Sequence, residues 1–140
     1  MTSRFSSGQI VSYPYLWRWQ MKRGQESGQK DRPVCLAMTF FDERQNFTHL
    51  VILPISGTPP QPDQTALEIP RLEIKRAGLD ELRQGWITVS EYNYDIAERS
   101  YYFEPGQRPR GQFGPKFLEE IRVALRPTIA AHIGRIDRTR

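Results

Sequence analysis

Two residues of this chain have the chemistry to grip a phosphate and a spacing that can bring them together: Arg32 and Ser56. Arg32 stands just before an apolar run at 34–41, and Ser56 closes a second run at 49–55. Both runs have strand length and strand composition, and the polar gap between them predicts a hairpin. If they pair antiparallel about the middle of that gap, facing residue numbers sum to about 88, which sets Arg32 opposite Ser56. Facing residues of an antiparallel pair point to the same face of the sheet. A guanidinium there can hold a phosphate through two parallel N–H bonds, and a hydroxyl adds one more donor. The segment leading into the first run carries Gly24, Glu26, Gly28, Lys30 and Asp31, and reads as a Gly-bounded loop beside the pair.

A second cluster lies a few residues upstream. Trp17, Arg18, Trp19, Lys22 and Arg23 interleave two indoles with three cations in what reads as a loop. Bases of single-stranded nucleic acid stack on indoles while Arg and Lys hold the phosphates. The same residues also suit a buried or interfacial pair of tryptophans with solvated cations around it. The other charged or titratable candidates read as structural or solvated. His49 is a strand-edge histidine and His132 lies near the end of a helix. Arg108 and Arg110 sit in a basic loop at 105–112.

Composition narrows the class. With 140 residues the chain is large enough for one domain, expected to have its core at about 8–133 and loose tails at 1–7 and 134–140. The net charge of +4 and a pI near 9.5 favour a polyanionic partner without dictating a fold. Cys35 is the single cysteine, so no internal disulfide forms; inside a strand it reads as a buried, inert thiol. Nothing has the ligand spacing of a zinc site, and no metal or cofactor is expected. The first residues lack the apolar stretch of a secretion signal, and no run reaches membrane-spanning length, so the expected compartment is the cytoplasm with no membrane contact.

The elements that must position these residues follow from pattern. A strand begins at Gly8, with Pro14 placing its end at an edge or bend. The loop 57–64 is rich in proline, and a short strand is expected at 67–69. Residues 70–78 read as a short helix with proline at its start and glycine past its end. A strand follows at 85–90, then a turn or bulge over 91–95 that contains Glu91, then one more short strand at 100–103. From Gly114-Pro115 a longer helix presents Phe117, Leu118, Ile121, Ala124 and Leu125 as one apolar stripe, and Pro127 is expected to end or kink it. Five or six short strands with a terminal helix make an α+β fold: a bent antiparallel sheet or partly closed barrel with the helix beside it.

Taken in order, several of these pieces resemble the MazF/PemK family of toxins from type II toxin–antitoxin pairs. They are G-Q-I-V at Gly8, the loop with Gly24, Glu26 and Gly28 closing on Arg32-Pro33-Val34, and the strand ending L-P-I-S at Ser56. Then come I-P-R-L-E-I-K-R-A-G-L-D, the strand W-I-T-V-S-E, and a helix opening G-P-K-F-L-E-E-I. The resemblance implies an SH3-like, partly closed antiparallel β-barrel with a C-terminal helix, the CcdB/PemK-like toxin fold. It also implies a homodimer that cleaves single-stranded RNA at selected sequences without a metal, restrained by a DNA-binding antitoxin whose extended segment fills the RNA groove. Arg32 and Ser56 then match the family's catalytic arginine and threonine. Trp17, Arg18, Trp19, Lys22, Arg23, Glu26, Lys30 and Glu91 become RNA-binding or supporting residues, with Glu26 or Asp31 holding Arg32. Some family members carry an arginine and an aspartate after the strand that matches 86–90; here that turn reads E-Y-N-Y-D, without arginine. The alternative is a non-catalytic or degenerate module of the same fold that grips a protein target such as a topoisomerase.

Overall fold

Two near-continuous apolar runs become the longest strands, β2 (Arg32–Asp42) and β3 (Phe47–Ser56), in a computed structural model that describes residues 5–25 and 30–139. Their register is the expected one from Val34 opposite Pro54 to Leu36 opposite Ile52. Between Leu36 and Met38 it shifts by one, leaving Ala37 as a bulge, and pairing resumes from Met38–Val51 to Asp42–Phe47. An extra residue on one strand bends it and sharpens the local twist. Asn46 closes the hairpin at φ 58°, a left-handed conformation that asparagine tolerates.

The remaining strands add to both edges of this hairpin. β1 (Gln9–Tyr13) pairs with β2 and sets Tyr13 opposite Arg32, and β7 (Gly111–Gln112) pairs with β1. The far edge of β3 is shared. β6 (Tyr92–Ile96) takes its first half, at His49 to Ile52, and β5 (Trp86–Thr88) takes its end, at Ile55 and Ser56. β4 (Ala66–Glu68) extends β5, and β8 (Arg135–Asp137) lies parallel to β6, the one parallel pair among the described strands. With helices α1 (Arg18–Lys22), α2 (Arg71–Arg76) and α3 (Pro115–Ala131), the chain is an α+β protein. Its eight-stranded sheet stays open, since the path runs from β4 to β7 without these two pairing.

Successive side chains of a strand point to opposite faces, and here both faces are covered. Ile10, Cys35, Ala37 and Leu53 join Phe117, Ile121 and Leu125 of α3 and Ile74 of α2 in one cluster. Val11, Tyr13, Val34, Leu36, Leu50 and Ile52 form a second cluster with Phe5, Trp17 and Phe103. Burial pushes the Cys35 thiol up to about 12, in keeping with an inert core cysteine. α2 ends at Gly78 (φ +69°), where a Cβ would come within 2.5 Å of the Arg110 carbonyl oxygen; this pins α2 against the chain entering β7.

Several expectations need correction. The segment 91–95, read as a turn, is mostly strand β6. Its polar Asn93 and Asp95 hide the pattern because they are buried against partners far along the chain. No strand forms at 100–103. α3 runs through Pro127 to Ala131; the missing N–H there would have served the carbonyl of Val123, on an exposed position where water can serve it. Residues 134–139, expected as a loose tail, hold β8 and the buried Arg138, and Phe5 of the other tail is buried in the second cluster. The expected partly closed barrel is an open sheet. Among the described residues no helix is long and apolar enough to cross a membrane.

Candidate functional site

Arg32 is the first residue of β2 and Ser56 the last of β3, so both stand at the open end of the hairpin. They line one cavity of about 330 Å³, together with Lys30, Asp31 and Thr58. Arg32 is half-buried, with its guanidinium carbon 5.4 Å from the centre of the Trp17 ring. Its Nε is buried without a hydrogen-bond partner, and burial lowers its pKa from the ordinary arginine value. Among the described residues no carboxylate forms an ion pair with it, Asp31 included. A cation partly withdrawn from water and left unneutralised gains most from an arriving anion. The Ser56 Oγ accepts a bond from the Thr58 backbone N–H at 3.0 Å, which leaves its own hydrogen available to donate.

This cavity continues into two more. Ser56 and Thr58 also line a smaller one of about 160 Å³, walled by Trp17, Trp19, Gln61 and Gln64. Trp19, Gln61 and Gln64 in turn line a larger one of about 550 Å³, with Arg18, Lys22 and Glu91. The three form a trough from Lys30 and Arg32, past Ser56 and the tryptophans, to Arg18 and Lys22.

The tryptophans divide their roles because the expected loop is a helical turn. Two positions apart on a helix, side chains point in nearly opposite directions. Trp17, at the start of α1, is 8% exposed and meets the Tyr15 ring edge-on at 5.2 Å, while its backbone N–H donates to Gln20 Oε1 at 3.0 Å. Trp19 is 47% exposed, with the Arg23 guanidinium 5.2 Å from its ring centre. Trp17 therefore supports Arg32 from below, and Trp19 offers its indole to the trough.

Glu91 connects β5 to β6 and is 4% exposed, yet it lines the 550 Å³ cavity. Its Oε1 accepts bonds from the Tyr15 hydroxyl at 3.1 Å and the Arg18 backbone N–H at 3.0 Å. Burial raises its pKa above the ordinary carboxylate range despite those bonds. A carboxyl so placed can exchange a proton closer to neutrality than an exposed glutamate. Glu26 lies outside the described residues.

The proline-rich loop 57–64 was read from the sequence only as irregular structure. It supplies Thr58, Gln61 and Gln64 to the trough. The available signal was its position, immediately after Ser56 and stiffened by proline. Of the cations in the second basic loop, Arg110 is engaged by Glu81 at 2.6 Å and by the Gly78 carbonyl at 2.9 Å. His49 bonds the Tyr94 hydroxyl through Nδ1 at 2.5 Å and stacks on that ring, as a strand-edge histidine does. Compared with known proteins, the chain matches no family model, no curated protein and no solved structure.

Proposed function

We propose that this chain is a MazF/PemK-like endoribonuclease, the toxin of a type II toxin–antitoxin pair, acting on single-stranded RNA without a metal. The observation that carries the reading is the shared cavity of Arg32 and Ser56, in which a half-buried arginine has no carboxylate partner among the described residues. β5 and β6 divide one edge of β3 between them, which supports an opened form of the SH3-like toxin fold.

In this chemistry the ribose 2′-OH attacks the adjacent phosphate, the O5′ bond breaks, and a cyclic phosphate and a free 5′-OH result. The substrate supplies its own nucleophile, so the protein must align it and stabilise charge on the phosphoryl oxygens. Arg32 faces those oxygens with its fork, held over Trp17, and assists the leaving oxygen as a donor. Ser56 donates one hydrogen bond to a phosphoryl oxygen. Trp19 stacks a neighbouring base, and Arg18 and Lys22 hold phosphates further along. Glu91 borders the cavity of Arg18 and Lys22 and has a supporting role there, fixing the start of α1 through the Arg18 N–H. Homodimerisation, and an antitoxin segment lying in the trough, belong to the same proposal.

An exposed Trp19 beside Arg23 and Met21 also suits a protein interface, which keeps the non-catalytic binding module as the second reading. The deciding experiment incubates a long unstructured RNA in EDTA with wild type and with Arg32→Ala. Discrete fragments from the wild type alone support the nuclease. Intact RNA with a folded wild type, or the same fragments from a folded Arg32→Ala, overturns it.

A further inference from the structure

α2 and the connector after it hold a second set of cations that the site described above does not use. Arg71 and Lys75 are four residues apart on α2 and so share one of its faces. Arg83 folds back beside them, and the three line a cavity of about 210 Å³ with Asp80, Ile74 and Leu82. Leu82 also lines the cavity of Arg32 and Ser56, so the two adjoin.

The state of these cations sets them apart from their neighbours. Arg76, on the same helix, is bonded to Glu73 at 2.6 Å, and Arg110 to Glu81 at 2.6 Å. Arg71, Lys75 and Arg83 are exposed and make no ion pair among the described residues. Three unpaired cations around one concavity, against a single aspartate, form a local positive site suited to a polyanion's backbone. Ile74 and Leu82 give its floor an apolar character.

The geometry points to a phosphate-binding subsite formed by Arg71, Lys75 and Arg83, which extends the RNA path beyond the Arg32 and Ser56 cavity past Leu82. The inference rests on the RNA reading proposed above. It makes the binding site longer than its catalytic centre: a strand that crosses Arg32 and Ser56 reaches Trp19 past Thr58 and these three cations past Leu82. Their role is affinity and register, since phosphate contacts position a strand without reading its sequence.

The test uses fluorescent 2′-O-methyl oligonucleotides, which lack the nucleophile, at lengths of about 4 and about 16 nucleotides. Wild type and the triple variant Arg71→Ala/Lys75→Ala/Arg83→Ala are compared across a salt series, with folding checked by circular dichroism. For the long probe the variant should lose roughly tenfold in affinity and about 2 units of log–log salt slope, three single-strand contacts' worth. The short probe should bind both proteins alike. Lys75→Glu alone, at an exposed position, should weaken the long probe more than Lys75→Ala. Equal long-probe affinity and slope in wild type and folded triple variant overturn the subsite while leaving the RNA reading intact. A wild type that binds neither probe overturns both.

Discussion

Arg32 and Arg138 present the same group in two settings. Each guanidinium lies over aromatic rings, Arg32 over Trp17 and Arg138 at 3.9 Å from Tyr102 and 5.4 Å from Tyr13. Each also has one buried nitrogen without a hydrogen-bond partner. The difference lies in the rest of the fork. Arg138 is 3% exposed and donates from Nη1 to the Pro14 carbonyl at 3.0 Å and to Asn93 Oδ1 at 2.9 Å, tying β8 to the turn after β1. Arg32 lines an open cavity and has no such partners among the described residues. The buried carboxyls repeat the contrast. Asp95 and Glu91 are both pushed above the ordinary range by burial, but Asp95 is fully enclosed by the Tyr13 and Ser100 hydroxyls and the Ile96 N–H, whereas Glu91 borders the trough. A perturbed group marks a candidate site only when it also has room for a ligand.

The largest expected effect breaks the arginine pair apart. Arg32→Ala should lower RNA cleavage by about 10³-fold while urea denaturation stays close to wild type. Arg138→Ala should cost about 2–3 kcal/mol of stability, read by the same denaturation, and leave cleavage by the folded protein nearly unchanged. The tryptophans should separate in the same way. Trp17→Ala removes core packing and should destabilise by about 3 kcal/mol. Trp19→Ala should leave the melting curve in place and weaken single-stranded RNA by about 1–3 kcal/mol in a fluorescence titration.

Ser56 gives a smaller and more specific effect. Ser56→Ala should slow cleavage about tenfold, the loss of one hydrogen bond to a charged oxygen, and Ser56→Thr should retain the rate because the hydroxyl survives. The smallest effect concerns pH. A carboxyl whose folded pKa is raised favours the folded state most below its unfolded pKa, and loses that contribution as pH rises through the folded value. Glu91→Gln and Asp95→Asn should each flatten the resulting fall in stability just above the ordinary carboxylate range. Only Glu91→Gln should also change the pH dependence of single-stranded RNA binding. An altered dependence in Asp95→Asn instead would reverse the assignment.

Much of the fold was legible because periodicity is a local property. The two apolar runs announced β2 and β3, and the short gap set their register well enough to bring Arg32 and Ser56 to one end. The stripe from Phe117 to Leu125 announced the buried face of α3. The Pro70 and Gly78 punctuation bracketed α2. The Ala37 bulge left no such mark, since an extra residue in a strand buried on both faces does not disturb an apolar run. Trp17 and Trp19 announced an aromatic cluster, but which one is buried depended on a helical turn in place of a loop.

What the chain determines by itself is the set of strands and helices whose faces alternate with a clear period, and the residue types carried to their ends. Tertiary structure alone decided how the buried polar groups are used. Asn93, Asp95, Glu91 and Arg138 read as surface residues in sequence because polar side chains normally stay in water. Their burial is tolerated only because partners as distant as Tyr13, Leu16 and Pro14 satisfy them, and those pairings exist only once the sheet has assembled. The same assembly sets the loop 57–64 against α1 and opens the trough between them.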